Sequence, residues 1–204
     1  MLNNKNFLVE PHSSNKDFWD NRWESQQTGW DIGYASPPII EFMKNYPNKD
    51  ATILIPGCGN AYEADFLLKE GFTNITVIDI APKAVEKLQA KFFSKPQIKI
   101  LCEDFFTHNG FYDLIIEQTF FCAIHPSLRA NYAKKSYELL KNNGFLVGVM
   151  FNTEFEKVGP PFGGFKDEYK VYFENYFNIH KMENCYNSIA PRLGKEIFVK
   201  MEKK

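Results

Sequence analysis

No stretch of the 204 residues approaches 18 consecutive apolar positions, so no segment is expected to cross a membrane. The run Met1 to Asn6 lacks a secretory apolar stretch, and the chain reads as cytoplasmic. Basic residues do not gather. Twenty-four Lys and Arg balance 25 Asp and Glu, and the longest basic cluster is Lys203-Lys204 with Lys200 nearby. Without a stripe of cations to follow a phosphate backbone, nucleic acid is not an expected partner. Cysteine is sparse as well. Cys58, Cys102, Cys122 and Cys185 form no CxxC pair and none has a His at metal-ligand spacing. That argues against a disulfide framework or a zinc site, and no metal is expected. Cys58 lies in a glycine loop, but with no His close in sequence it is a poor candidate nucleophile. Internal repeats and low-complexity tracts are also missing.

What is present is an ordinary globular composition, 44% hydrophobic and 24% charged, with 20 Phe and ten Tyr. The length suits a single domain spanning 1–204. Residues 1–16 are polar and read as a loose arm. Asp17–Glu24 is expected to be a short helix with Phe18, Trp19 and Trp23 on its apolar side, and Gln26–Pro38 a loop. A second helix carries Ile39, Phe42, Met43 and Tyr46. Residues 1–46 thus form an N-terminal segment before an α/β core at 47–204. In the core, strands at Thr52–Ile55, Ile75–Ile80, Ile98–Cys102, Tyr112–Glu117 and Phe145–Phe151 alternate with helices at Ala61–Glu70, Ala81–Phe93 and Ser127–Leu140, with Asn143-Gly144 turning the chain into the fifth strand. A helix near Lys166–Tyr176 and strands at Asn178–Glu183 and Glu196–Met201 close the chain. The expected fold is a doubly wound α/β domain, its mostly parallel seven-stranded sheet carrying one antiparallel strand.

Chemistry concentrates where strands end. Ile55-Pro56-Gly57-Cys58-Gly59 runs from a strand into a two-glycine turn, which lets backbone approach a ligand closely. The third glycine of a dinucleotide fingerprint is missing because Tyr62 holds its place, which counts against NAD or FAD. Asp79 closes the second strand, where a carboxylate can accept from both ribose hydroxyls or cap the next helix. After the third strand, Glu103-Asp104-Phe105 offers a carboxylate for an adenine amino group and a ring to pack on it; the plainer alternative is a solvated loop. Three such features on successive strand ends specify an adenosine site without pyrophosphate, which S-adenosyl-L-methionine fits. The fourth strand exits through Gln118-Thr119-Phe120-Phe121, aromatics suited to the sulfonium region. His125 precedes Pro126 at a helix start and reads as structural.

Phe18-Trp19-Asp20-Asn21-Arg22-Trp23, Gly29-Trp30-Asp31, Leu54-Ile55-Pro56-Gly57-Cys58-Gly59 and Phe120-Phe121-Cys122-Ala123-Ile124-His125-Pro126-Ser127-Leu128-Arg129 resemble the thiopurine S-methyltransferase family, on its plant-type thiol and halide methyltransferase branch. The similarity runs from about Phe18 to Lys200 and takes in Ile189–Glu196. It implies a class I methyltransferase (Rossmann-like) fold, with Trp19, Trp23, Trp30, Gly57, Asp79, Asp104, Phe105 and Gln118 contacting the cofactor. Gln118 departs from the branch, which usually has Tyr there, and Phe151–Phe155 also departs. Acceptor-pocket candidates are Phe120, Phe121, Phe151, Asn152 and Arg192.

The expected activity is methyl transfer to a small-molecule thiol or halide, by a monomer or weak dimer. Such nucleophiles need orienting and dehydrating more than deprotonating. The tryptophans would act as a lid, or alternatively as a staple pinning the first helix. Arg192 or Lys195 would draw in an anionic acceptor. The alternatives are an oxygen, nitrogen, tellurium, selenium or thiopurine acceptor, or a non-catalytic adenosine-ligand protein or NAD oxidoreductase.

Overall fold

The computed structural model describes residues 16–157 and 159–204. The loose arm expected at the start of the chain lies outside them, apart from Lys16. Helix α1 (Lys16–Glu24) carries Asp17 in its first turn and Arg22 in its last, charges that suit the helix dipole. Helix α2 (Pro37–Lys44) starts on Pro37-Pro38 and buries Ile39 and Met43, one turn apart. The strands and helices that follow are β1 (Thr52–Pro56), α3 (Tyr62–Lys69), β2 (Asn74–Asp79), α4 (Pro82–Lys91), β3 (Ile98–Cys102), β4 (Tyr112–Gln118), α5 (Arg129–Leu139), β5 (Leu140–Phe151), α6 (Lys166–Phe173), β6 (Phe177–Asn184) and β7 (Glu196–Lys203). No helix among the described residues is long and apolar enough to cross a membrane.

The seven strands form one sheet in the order β3-β2-β1-β4-β5-β7-β6. The first five are parallel, and β7 runs antiparallel to both its neighbours, β5 and β6. The last strand therefore inserts between the fifth and sixth. Alternation along the central strands splits the core in two. Ile53, Ile55, Leu114 and Ile116 pack under α2, α3 and α4, while Leu54, Ile115, Leu146 and Met150 pack under α5 and α6. A third, small cluster joins Trp23 to Ala81 and Ala84 of α4, with Trp19 and Trp30 against it.

Two local expectations are revised. Asn143-Gly144 does not separate a helix from the fifth strand. Strand β5 already begins at Leu140, and Asn143, at φ 62°, sits in a bulge within it where the pairing with β4 shifts between Tyr112 and Leu114. Asn tolerates this left-handed backbone, which helps β5 absorb three extra residues, since Leu140 to Phe145 faces only Tyr112 to Leu114. The segment from Ser127 is not uniformly α-helical either: a 3-10 turn at Pro126–Leu128 precedes α5. Strand order reverses between β1 and β4, and a crevice opens there beyond the carboxyl ends, the usual place for a ligand in an open α/β sheet.

Candidate functional site

The turn after β1 is shaped by backbone that only glycine adopts cheaply. Gly57 and Gly59 have φ 55° and 53°, and a Cβ on Gly57 would fall 2.3 Å from Phe120 Cδ2. Asp79 holds the turn from the end of β2. Its Oδ2 accepts from Gly59 N–H at 3.0 Å and its Oδ1 from Ala81 N–H at 2.9 Å. The carboxyl is 8% exposed, and burial pushes its pKa up against the pull of these N–H donors. A carboxylate offers about four lone pairs, so Asp79 fastens the glycine turn, fixes Ala81 just before α4 and keeps capacity for a ligand.

A cavity of about 460 Å³ opens above these strand ends. Asp79, Glu103, Asp104 and Phe105 line it on the β2 and β3 side. Asp104 Oδ1 accepts from Phe106 N–H at 2.9 Å, which fixes the loop. Glu103 Oε1 meets His108 Nδ1, and His108 Nε2 lies 2.7 Å from the Tyr112 hydroxyl. On the β4, β5 and β7 side the lining changes to Phe120, Cys122, Ile124, Phe151 and Arg192, with Lys157, Pro160 and Pro161. Carboxylates thus line the β2 and β3 side, and apolar walls with Lys157 and Arg192 the other, while Arg22 of α1 lines the cavity beside the tryptophans.

The exit of β4 is built by a buried carboxylate. Glu117 is fully buried; its Oε1 accepts from the N–H groups of Phe120 and Phe121, both at 2.8 Å, and its Oε2 from the Tyr132 hydroxyl at 2.7 Å. These bonds hold Thr119 at φ 62° and set the Phe120 ring over Gly57, 5.3 Å from that of Phe105. Desolvation raises the Glu117 pKa to about 7.

The N-terminal segment covers the cavity. Trp30 meets Trp19 and Trp23 edge to face, with ring centroids 5.5 and 5.9 Å apart. Trp23 and Trp30 stand over the glycine turn, 3.5 and 3.9 Å from where a Gly59 Cβ would project. Hydrogen bonds from Asp20, Trp30 and Asp31 tie the tryptophan-bearing stretch of the segment to the core, and Ser36 and Glu41 make further ones to Glu63, Tyr186 and Asn187. Asp20 Oδ1 accepts from Lys83 N–H at 2.7 Å. Asp31 Oδ2 accepts from Asn60 Nδ2 at 2.6 Å and from the Tyr62 hydroxyl at 3.2 Å. The Trp30 carbonyl accepts from Arg192 Nη2 at 2.9 Å.

A family model described as thiopurine S-methyltransferase (TPMT) matches residues 14–203. The chain belongs to the thiopurine S-methyltransferase family. It is an S-adenosylmethionine-dependent methyltransferase. Among curated relatives, probable thiol methyltransferase 2 of Arabidopsis thaliana is 33% identical over 184 residues, covering 87% of this chain and 81% of its own. Thiocyanate methyltransferase 1 of Brassica oleracea is 33% identical over 200 residues, covering 91% and 84%. A solved structure, magnesium protoporphyrin IX methyltransferase from Synechocystis PCC 6803 with bound SAM, superposes with a TM-score of 0.75 at 13% identity. It covers 98% of this chain and 100% of its own, which shows the class I fold.

In this methyltransferase the cavity is lined by Trp19, Trp23, Trp30, Gly57, Asp79, Asp104 and Phe105, all named from the sequence, and by Phe120, Phe151 and Arg192. Four named residues fall outside the lining. Phe121 turns into the core against Tyr132, Tyr169 and Phe173, because the Glu117-held turn sends adjacent rings to opposite sides. Asn152 accepts from Lys166 N–H at 2.9 Å and so fastens the start of α6. Gln118 keeps its Oε1 buried without a hydrogen-bond partner among the described residues. Lys195 is outside as well. His125 accepts from Ser127 N–H and caps the 3-10 turn, as its place before Pro126 suggests. Burial and the nearby Asp79 hold the Cys58 thiol well above its ordinary pKa, which disfavours the thiolate a nucleophile needs.

Sequence reasoning missed Glu117, Asn60 and the tethering role of Tyr62. In the sequence Tyr62 stands out only for the glycine it displaces. It also missed Arg129, which is 1% exposed and donates to the Gly163 carbonyl at 2.7 Å, pinning the loop that carries Pro160 and Pro161.

Proposed function

We propose that the chain methylates a small, weakly hydrated anion, a thiolate or a halide-like ion, held at the Phe120, Phe151 and Arg192 end of the cavity. The observation that carries this reading is the make-up of that end. Among the described residues lining it there are two cations and apolar walls, and no His, Asp or Glu that could take a proton from an acceptor. A site without a base suits a nucleophile that is already charged. Arg192 offers that charge a fixed guanidinium, 12% exposed and paired with Glu196. The names of the relatives, thiol and thiocyanate methyltransferases, agree with this acceptor class.

The opposite end suits the cofactor on this structure's own features. The backbone of Gly57 and Gly59 leaves a cradle that a Cβ would fill. Asp79 would accept from the ribose hydroxyls, Asp104 from the adenine amino group, and Phe105 would pack beside the ring. When bound, S-adenosylmethionine supplies an electrophilic methyl group on a sulfonium. The tryptophans at 19, 23 and 30 screen that end from water and attract a cation to their faces by roughly 0.5–2 kcal/mol. Residues 1–46 then act as a lid segment on the α/β core at 47–204. The four unpaired thiols suit a reducing cytoplasm, where the chain acts as a monomer or weak dimer.

The test is a methyl-transfer screen with labelled S-adenosylmethionine across hydrosulfide, thiocyanate, iodide, a thiopurine, and tellurium and selenium anions. Thiolates or halide-like ions should be the best acceptors. Preference for a thiopurine or an oxygen nucleophile would overturn the acceptor assignment.

A further inference from the structure

Arg192 occupies two roles at once. It lines the acceptor end of the cavity, and its Nη2 donates to the Trp30 carbonyl on the covering segment. Its Nη1 reaches Glu196 Oε1 at 3.4 Å, and its guanidinium stands 5.6 Å from the centre of the Phe151 ring. Glu196 is 4% exposed and belongs to β7, so the guanidinium is anchored on the sheet. A guanidinium carries five N–H groups in a rigid fork, and these two contacts use two of them. Three remain for other partners, on a side chain that faces the cavity.

Two other tethers of the tryptophan-bearing stretch attach elsewhere. Asp20 reaches the start of α4, and Asp31 reaches Asn60 and Tyr62 beyond the glycine turn. Both belong to the cofactor end. Between Asp20 and Asp31 the segment is thus bonded to the cofactor end through two carboxylates and to the acceptor end through Arg192.

We infer that Arg192 is a latch that couples acceptor binding to closure of the tryptophan segment over the cofactor. An anion on its remaining N–H groups fixes the guanidinium in the pose that also holds Trp30. The segment then spends more time closed, and whatever lies beneath Trp23 and Trp30 is held more tightly. Linkage makes the effect reciprocal: acceptor and cofactor product raise each other's affinity by the same factor. Arg192 is a positioning residue in this respect, distinct from its service as a counter-charge. The acceptor half of the inference rests on the anionic acceptor proposed above.

The sequence supplies its own probe. All three tryptophans of the chain, Trp19, Trp23 and Trp30, lie in the segment, so tryptophan emission reports on it alone. Two readouts are taken on the full chain: acrylamide quenching of that emission, and the affinity for S-adenosylhomocysteine by calorimetry with and without thiocyanate at constant ionic strength. In the wild type, thiocyanate should reduce quenching and tighten S-adenosylhomocysteine about fivefold or more, the ordinary scale of coupled sites. Arg192→Lys keeps the charge but cannot fork to the carbonyl and the anion together. It should raise quenching and abolish the tightening. The double variant Arg192→Leu with Glu196→Gln avoids leaving a buried carboxylate unpaired and should behave likewise.

Full tightening in either variant would overturn the latch. So would thiocyanate turnover by the wild type with no change in S-adenosylhomocysteine affinity, an outcome that leaves the proposed function intact. If no anion is methylated and thiocyanate leaves S-adenosylhomocysteine affinity unchanged, the acceptor assignment and the coupling fall together, and more ready quenching in the variants would show only that Arg192 tethers Trp30.

Discussion

Replacing Glu117 with Gln should change how stability depends on pH. The carboxyl is buried at the end of β4 and titrates near 7 where its ordinary value is about 4.5. The folded state therefore holds a proton that the unfolded chain has released. Its contribution to stability is fully present below about 4.5, is lost as pH rises to about 7, and is flat above that. The gap of about 2.5 pH units, at about 1.4 kcal/mol each, comes to roughly 3 kcal/mol. Gln cannot titrate. Its amide oxygen can still accept from the Phe120 and Phe121 N–H groups, while its NH₂ would ask the Tyr132 hydroxyl to accept instead of donate. That exchange adds an offset with no pH dependence. The assay is urea denaturation of both proteins from pH 4.5 to 8. The wild type should lose roughly 3 kcal/mol more than the variant across that span, with the steepest change below pH 7. Parallel curves would refute the assignment of a shared proton to this carboxyl.

Other substitutions separate support from chemistry. Asp79→Ala should weaken S-adenosylmethionine binding by about 1–3 kcal/mol in calorimetry, because bonds to a charged acceptor are lost. It should also lower the melting temperature, since Gly59 and Ala81 lose their acceptor; unchanged affinity would mean that Asp79 only shapes the turn. Trp23→Ala should cut turnover on the order of 100-fold, the scale of a misplaced reacting group, with only a modest loss of thermal stability, because Trp23 packs in a satellite cluster and not in either main core. A fall in activity that merely tracks the melting temperature would make it a packing residue. Gly57→Ala puts a methyl group into the Phe120 ring and forces φ 55° on a chiral residue, so it should raise the acceptor KM more than it alters the circular dichroism.

Much of this architecture is legible in the chain because the strands are short apolar runs, with β1 closed by Pro56-Gly57, β2 by Asp79 and β3 followed by Glu103-Asp104. Strands β1 to β4 and the helices between them follow from that pattern, and so does the cofactor end, since its residues sit where strands stop. The acceptor end is harder to read. Phe120 and Phe121 are equivalent in sequence, and only the bonds from their N–H groups to Glu117 decide that one ring faces the cavity and the other the core. Glu117 itself reads as an unremarkable strand residue, and nothing local announces that Tyr132, fifteen positions on, will donate to it. The tethers of the tryptophan segment join residues up to 162 positions apart and leave no periodic trace. Asn143-Gly144 misleads for the opposite reason: the pair is a strong turn signal, and here it makes a bulge.

The central claim is that the enzyme supplies no base and acts on an acceptor already ionised. The pH dependence of kcat/KM over a series of thiols with different ionisation constants tests it most directly. Each profile should rise with unit slope and level off at the pKa of that thiol, so that the break moves with the acceptor. A break fixed at one pH for every thiol, whatever its acidity, would place a general base on the protein and contradict the account.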